Sequence, residues 1–509
     1  MKAMMSENMS ETERDAMVLE SKCQVAENGI VDSATEADPY IKNTPLKEEL
    51  NQLFADSFVE ISDYGRARTL EELWRGKWRW RDEKRLWMRW NGKHWEETSI
   101  TQAVVAATQD LLKEYNSRVI MITRDEDLAE LAELRKQAST LSRVRSALQY
   151  LAGFPGFFTR PQEWDADPWL LNLNNGVLAL HSCKDMSHLE LDLLQHDPKY
   201  LCTKIANVDY DPKAVGNSWR KHLTLCQPNE DIQRELQREM GMALYGSSFD
   251  ELLPIWYGQG ANGKSTTTRV IQEILGRYAG QAAPNLLVKR KHDAHPTEIA
   301  DLLGYRVVFS SEVDSTAKLD EAKVKLLTGG DRQKARLMRK DFFDFKQTWL
   351  TVLLCNHRPE IIGTDDGIWR RIRIIPWEST VPKDKQRPQD NVIDELLDDS
   401  PAILLWMLEG LVDYLRNPYW ISNTVQEATQ EYRAEQDRIM GFLDDMCSVK
   451  AGNRVTKKEL YNAYDNWCDD QDEDPLSKKM FGKILSKRPG ITSGKGTAGV
   501  HIWKGIKLK

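Results

Sequence analysis

Apolar residues recur at strand or helix spacing along most of the chain, and the places where the period changes divide it into units. Residues 1 to about 45 lack such a period; they are polar and acidic, with few large apolar side chains, and read as a disordered tail. From about residue 46 the pattern changes. Trp74, Trp78, Trp80, Trp87, Trp90 and Trp95 are interleaved with Arg75, Lys77, Arg79, Arg81, Lys84, Arg85 and Arg89. Leu86-Trp87-Met88-Arg89-Trp90 alternates and ends in the turn pair Asn91-Gly92, which predicts a hairpin. Two readings stand: a small β-meander with a tryptophan core and basic rims, or an aromatic-basic face that stacks bases and holds phosphates. Residues 101–150 predict two helices. Asn174-Asn175-Gly176 followed by Val177-Leu178-Ala179-Leu180 predicts a turn and strand, residues 208–212 a linker entry, and residues 229–246 a helix.

Three apolar runs then read as buried strands, each followed by chemistry. The first, residues 252–257, leads into Gly258-Gln259-Gly260-Ala261-Asn262-Gly263-Lys264-Ser265-Thr266 and a helical pattern through Ile271 and Leu275. Strand, glycine loop and helix in that order are the context in which G-x-x-x-x-G-K-S means a phosphate loop. Glycines let backbone N–H groups close around phosphate oxygens, and the helix amino end adds positive potential. Lys264 is expected on the β and γ phosphates of ATP, Ser265 on Mg²⁺, and Thr266 as support. The second run, residues 306–311, ends at Glu312, the candidate acid for the magnesium water shell or the attacking water, with Asp314 a weaker second acid. The third, residues 349–355, ends at Asn356, whose amide could orient water against the γ-phosphate.

Between Glu312 and Asn356 a short helix is predicted to end at Gly329-Gly330, followed by the basic residues Arg332, Lys334, Arg336, Arg339 and Lys340. Residues 337–345 read as a hairpin with Arg339 and Lys340 near its tip. Beyond Asn356, residues 365–377 carry Arg370, Arg371 and Arg373 beside an apolar strand. Such guanidiniums need an anion; Arg371 is the first choice and Arg370 the second for a finger on a neighbouring subunit's γ-phosphate, with Arg373 an ion-pair partner. Residues 423–447 read as a helical lid or linker. Two helices starting near 455 and 477, then two strands around a Gly-rich turn, predict a winged helix. Residues 476–509 hold nine Lys or Arg and no Asp or Glu. Lys478, Lys479 and Lys483 on the second helix and Lys495 on the wing are the candidate DNA contacts.

Composition narrows this picture. At 509 residues, 41% hydrophobic and 29% charged, the chain is too apolar to be disordered and long enough for three or four units. Its seven Cys include no Cys-x-x-Cys pair, which disfavours a zinc ribbon or a disulfide framework. No apolar run spans a membrane and no signal segment opens the chain, so a cytoplasmic protein, in the host cell if phage-encoded, is expected. A net charge of −8 excludes a uniformly basic coat but not local basic surfaces.

The series GQGANGKST, RVVFSSE, LLTGGDRQKAR, LLCNHRPEI and GTDDGIWRRIRIIPW resembles the superfamily 3 helicase domain. It is most similar to the poxvirus-type and satellite-phage-type primase-helicases of phages, plasmids and mobile islands. The resemblance covers about residues 60–380 and, more loosely, the carboxyl terminus; LNLNNGVLAL and VDYDPKA are similar to the domain that precedes the helicase in that family. It implies an AAA+ P-loop core, a homo-hexameric ring, a channel hairpin that follows the DNA backbone, and 3′-to-5′ translocation on single-stranded DNA. By it, Lys264 and Ser265 match the nucleotide loop, Glu312 the Walker B acid, Asn356 the sensor, and Arg370 or Arg371 the finger. Many relatives carry adjacent acids where this chain has Ser311-Glu312. Longer relatives also carry a primase domain in front, and about 60 residues are too few for one. The expected organisation is therefore a multidomain α/β protein: tail 1–45, α+β amino-terminal domain 46–215, AAA+ helicase core 216–385, helical lid or linker 386–449, and winged-helix DNA-binding domain 450–509. The expected activity is ATP- and Mg²⁺-dependent unwinding of forked DNA, with origin duplex and a separate primase or host replication proteins as partners. The alternative is an ATP-switched origin-binding scaffold that does not unwind processively.

Overall fold

A computed structural model describes residues 61–118, 125–182, 189–247, 250–290, 297–311, 318–336, 342–361, 366–436, 438–471, 475–486, 488, 490–496 and 499–509. The expected tail lies outside these residues.

Helix α1 (Asp63–Trp74) is capped by Ser62, whose hydroxyl accepts from the Gly65 N–H at 3.0 Å. Strands β1 (Trp78–Arg81), β2 (Leu86–Trp90) and β3 (Trp95–Thr98) form an antiparallel meander. Helices α2 (Ile100–Arg118), α3 (Asp125–Ala138) and α4 (Leu141–Ala152) follow, three where two were expected, and β4 (Phe158–Thr159) joins β1 in parallel. The tryptophans are the core of this unit. Trp74 stacks on Trp78 with centroids 4.2 Å apart, and both pack with Trp87, Leu111, Leu148 and Phe157. Trp95 is buried on the other side of the sheet against Met88 and Trp164. The guanidiniums of Arg79, Arg81 and Arg89 lie over the Trp95, Trp164 and Trp78 rings at 5.7, 5.8 and 5.6 Å. The meander with a tryptophan core and basic residues around it is what forms, with Trp80 and Trp90 half-buried at its surface.

Strands β5 (Leu170–Leu173), β6 (Gly176–Ser182) and β7 (Leu189–Leu194) make an antiparallel sheet turned at Asn174-Asn175. Their inner residues Leu171, Leu173, Leu178 and Leu180 share one core with Trp219, Trp256 and Val270. Hydrophobic packing thus runs across the boundary expected at 215/216.

Next come α5 (Asn217–Cys226) and α6 (Glu230–Met242), followed by the central sheet: β8 (Leu253–Tyr257), α7 (Lys264–Leu275), β9 (Ala279–Gln281), α8 (Thr297–Ala300), β10 (Val307–Ser311), α9 (Glu321–Thr328), the hairpin β11 (Gln333–Arg336) and β12 (Phe342–Phe345), β13 (Leu350–Cys355), α10 (Asp366–Trp369) and β14 (Ile372–Pro376). The five long-range strands are all parallel, in the order β14-β8-β13-β10-β9. Both faces are covered: Trp256, Val307 and Phe309 point into one core, Ile255, Val308 and Ile374 into the other. Burial on two sides explains why these strands read as unbroken apolar runs.

Helices α11 (Gln389–Leu397), α12 (Ser400–Arg416) and α13 (Asn423–Glu435) complete this body. The helix expected over 423–447 is two, because α14 (Arg438–Met446) belongs to the next unit. There, β15 (Cys447–Thr456), α15 (Lys457–Asp470), α16 (Lys478–Leu485), β16 (Thr492–Lys495) and β17 (His501–Leu508) enclose a core of Phe442, Tyr464, Phe481 and Trp503. The sheet is three-stranded and antiparallel, ordered β15-β17-β16. Ile439, Phe442 and Leu443 of α14 are part of its core, so the expected boundary at 450 cuts through this unit. Among the described residues no helix is long and apolar enough to cross a membrane.

Candidate nucleotide site

Because the five strands are parallel, every carboxyl end opens on the same edge, where ligands bind in open α/β sheets. The loop 258–263 leaves β8 at that edge. Its shape is enforced by close approach. The Gly258 N–H reaches the Cys355 carbonyl at 3.3 Å, and a Cβ at Gly258 would stand 2.1 Å from the Trp377 carbonyl oxygen. Gly263 has φ +83°, and a Cβ there would meet the Cys226 sulfur at 2.2 Å. Ala261, at φ 60°, adopts a left-handed conformation that ordinarily costs a non-glycine residue roughly 1–2 kcal/mol. The segment after β14 repays that strain by buttressing the loop: Val381 N–H donates to the Ala261 carbonyl at 2.8 Å, and the Asn262 amide donates to the Trp377 carbonyl at 2.8 Å. Asn262 also accepts from the Lys264 N–H at 3.3 Å, so its buried side chain holds the loop. Gly260 has open space around it.

Lys264 begins α7. Its ammonium donates to the Gly258 carbonyl across the loop, and burial pulls its pKa below the ordinary lysine value. Ser265 is exposed at the helix end. Half-buried Thr266 accepts from Gln389 at 3.5 Å. No acid occupies the first turn of α7, so its positive end is not neutralised from within. Thr267 shares a 2.9 Å hydrogen bond with His222 of α5, whose pKa burial pushes down to about 4, making it a neutral partner. His222, Cys226 and Trp377 were missed by sequence reasoning; they lie far along the chain and no spacing signals them.

Strand β13 is hydrogen-bonded to both β8 and β10, with Cys355 opposite Tyr257 and Leu354 opposite Ser311. Exposed Asn356 and the strand end Ser311 therefore lie at the same edge as the loop, within two strand spacings of roughly 4.8 Å each. Glu312 and Asp314 lie outside the described residues. Among the described residues no group of three or more His, Cys, Asp or Glu gathers for a metal.

Arg370 and Arg371 stand at the amino end of β14, the opposite edge of the sheet. The Leu253 N–H that opens β8 bonds the Arg371 carbonyl at 2.7 Å. A five-residue strand, roughly 16 Å long, separates them from their own phosphate loop. The Arg371 side chain is 7% exposed and fixed inside the chain by Glu251 at 2.7 Å, Thr328 at 3.1 Å and the Gly367 carbonyl. Arg370 is 63% exposed and pairs with the same Glu251. Of the two guanidiniums, Arg370 is thus the exposed one and Arg371 the buried one. Arg373 is half-buried, and desolvation lowers its pKa against the opposing effect of Glu235, Asp250 and Glu239.

The hairpin differs from expectation. Its first strand is β11, four residues earlier than read, with Lys334 opposite Asp344 and Ala335 opposite Phe343. Lys334 is exposed mid-strand; Arg339 and Lys340 lie outside the described residues. Lys478, Lys479, Lys483 and Lys495 are all exposed.

Residues 67–228 match the family described as D5 N terminal like, and residues 434–489 the family described as poxvirus D5 protein-like. These two matches, on separate parts of the chain, are consistent with a D5-type primase-helicase family. Residues 256–371, the stretch holding the phosphate loop, match a family of unknown function. Relatives include a provisionally named helicase, 022R, of Frog virus 3, 27% identical over 299 residues, covering 55% of this chain and 30% of that one. A provisionally named helicase of Acanthamoeba polyphaga mimivirus is 26% identical over 60% of this chain and 33% of its own. A provisionally named primase of African swine fever virus is 24% identical over 65% and 35%. The chain thus spans about a third of the length of these relatives. The solved apo structure of the NrS-1 C terminal region superposes on 88% of this chain and 99% of its own, at 10% identity and a TM-score of 0.45.

Proposed function

We propose that this chain is an ATP-dependent replicative DNA helicase subunit with an AAA+ core. It works as a homo-hexameric ring that translocates 3′-to-5′ on single-stranded DNA, during replication of a phage, virus or mobile element. The observation that carries the reading is the two-edged sheet. One edge gathers the Gly258–Gly263 loop, Lys264, Asn356 and the strand end Ser311, which precedes Glu312 in the sequence. The other edge carries Arg370, too far from its own loop to serve it. In a head-to-tail ring the second edge of one copy faces the first edge of the next.

ATP with Mg²⁺ would supply the phosphoanhydride whose cleavage drives the motor. The residues fit such a ligand: two glycines are forced by close approach, and the amino end of α7 carries no acid. Loop N–H groups and Lys264 hold phosphate oxygens, Ser265 and Glu312 serve the metal, and Asn356 orients water. Arg370 of a neighbour stabilises charge that develops in the transferred phosphoryl group. Lys334, Arg339 and Lys340 of the hairpin follow the DNA, and a separate primase or host protein supplies primers. The carboxyl-terminal unit is a winged helix that holds duplex or forked DNA.

Strand displacement on duplexes with a 3′ or a 5′ single-stranded tail tests this. The expected result is ATP-dependent displacement from the 3′-tailed substrate, abolished by Lys264→Ala. ATP turnover and DNA binding without displacement on either substrate would overturn it. That outcome would favour the second reading, an ATP-switched origin-binding scaffold, which the concentration of lysines in the carboxyl-terminal unit also supports.

A further inference from the structure

The carboxyl-terminal unit contains a groove of about 600 Å³ between the first turns of α15 and α16, floored by β16 and β17. Four ammonium groups line it, Lys457 and Lys458 from α15 and Lys478 and Lys479 from α16, and no carboxylate among the described residues does. This arrangement opposes the usual electrostatics of helices. Amino ends carry positive potential and favour acids by about 0.3–1 kcal/mol, yet here two amino ends converge and each adds two cations. The first turn of α16 contains no acid. The one acid in the first turn of α15, Glu459, is occupied as an acceptor from the Thr456 hydroxyl at 2.9 Å in a capping box. None of the four lysines has an ion-pair partner among the described residues. Four like charges held together repel one another, and a polyanion relieves that repulsion.

The floor of the groove decides which polyanion. Trp503 is 2% exposed, and the Lys457 ammonium sits 4.4 Å from its ring centroid. The Lys478 ammonium sits 5.2 Å from the Tyr461 ring, whose hydroxyl is tied to the Leu476 carbonyl at 2.8 Å. Both rings are covered by cations. Proteins that hold single strands without sequence preference stack bases on open aromatic faces. Here an ammonium stands over each of these two rings, and the four cations with the exposed Ser493 hydroxyl suit phosphate oxygens.

We infer that the groove is a sequence-independent clamp for the phosphate backbone of duplex DNA, built from Lys457, Lys458, Lys478, Lys479 and Ser493. The inference rests on the reading of this chain as a DNA-handling protein, and it changes how the carboxyl-terminal unit does so. Lys478 and Lys479 grip phosphates together with α15, and α16 does not read bases from the major groove through them. Lys483 and Lys495 do not line the groove.

Fluorescence anisotropy of the full chain tests the clamp, with two duplexes of unrelated sequence and an oligo-dT strand, titrated across about 50 to 200 mM salt. Each phosphate neutralised steepens the log–log salt dependence by about 0.9, so four lysines account for about 3.6, a roughly 150-fold loss of affinity over that fourfold range. The Lys457→Ala/Lys458→Ala/Lys478→Ala/Lys479→Ala variant should lose most of that slope and bind both duplexes more weakly, on the order of 10²-fold at the low-salt end. The Lys→Arg version should keep the slope, and Lys483→Ala/Lys495→Ala should retain more than half of it. An unchanged slope in the quadruple variant would overturn the clamp. So would selective loss of one sequence, or a larger loss of oligo-dT binding than of duplex binding in the quadruple variant. ATP turnover measured on the same samples separates the two readings. Wild-type protein that binds duplex through the groove but hydrolyses no ATP would sink the helicase and leave the clamp standing. Normal DNA-dependent turnover with a silent quadruple variant would do the reverse.

Discussion

Lys264 and Arg371 are both buried cations, held for different purposes. Lys264 sits in a loop whose own carbonyl it contacts, at an edge open to a phosphate. Arg371 is locked by Glu251, Thr328 and Gly367, so its charge is spent inside the chain. Arg371→Ala should therefore lower folding stability by about 2 kcal/mol, since it strands partners of a charged hydrogen-bonding group. Arg370→Ala should stay within about 0.5 kcal/mol of wild type, as exposed pairs do, yet reduce ATP turnover by about 10³-fold or more. Urea denaturation and steady-state hydrolysis on the same two proteins check this. An Arg371→Ala protein of normal stability with the larger loss of turnover would restore it as the finger. The loop was legible in the sequence because its chemistry is local: glycines, a lysine and a serine at fixed offsets between a strand and a helix. Its supports were not legible. Trp377, Val381 and His222 reach the loop only after the sheet has formed, and a tryptophan carbonyl leaves no mark in the residue pattern. The choice between Arg370 and Arg371 was equally closed to sequence, since adjacent arginines differ only in burial.

The strands of the central sheet could be read at the scale of elements because burial on both faces leaves continuous apolar runs. The hairpin could not be placed as well. Its first strand, Gln333–Arg336, alternates buried Gln333 and Ala335 with exposed Lys334, and the buried glutamine donates its amide N–H to the Leu326 carbonyl, so a strand is written in mostly polar letters. Helix pairing shows a second hidden feature. Helices α6 and α12 approach so closely that a Cβ at Gly410 would stand 1.9 Å from the Gln237 carbonyl oxygen. Beside this crossing, Asp413 accepts from Arg234 at 2.8 Å and from Arg238 at 3.0 Å. The hydrogen bond from Arg234 is the largest cause holding the Asp413 pKa down to about 2, against the opposing effect of burial, with Arg238 adding to it. A carboxylate depressed from an unfolded value of roughly 3.9 contributes stability that is complete above about pH 4 and lost as pH falls through about 2. Asp413→Asn should cost about 1–2 kcal/mol at neutral pH, with the difference from wild type closing between pH 4 and 2. Denaturant midpoints of both proteins across that range check it, and a gap that persists at pH 2 would show that the pair is not the cause.

For the whole molecule, the order of units was legible and their edges were not, because cores are shared between distant segments. The carboxyl-terminal core recruits Ile439, Phe442 and Leu443, while Gln436 still serves the central body by accepting from the Ile361 N–H at 2.8 Å. A chain ending at Gln436 should stay folded and keep basal ATP turnover. A chain ending at Val449 should expose the apolar face of α14 and aggregate, which size-exclusion chromatography of the two truncations decides. The central claim is that the nucleotide site is completed between copies, by a loop on one edge of the sheet and Arg370 on the other. The most direct measurement is ATP hydrolysis by an equal mixture of Lys264→Ala and Arg370→Ala subunits, each inactive alone. Random assembly into a ring leaves about a quarter of the interfaces with both an intact loop and an intact arginine, so turnover should recover to about a quarter of wild type. A mixture no more active than the sum of its two components would contradict the shared site.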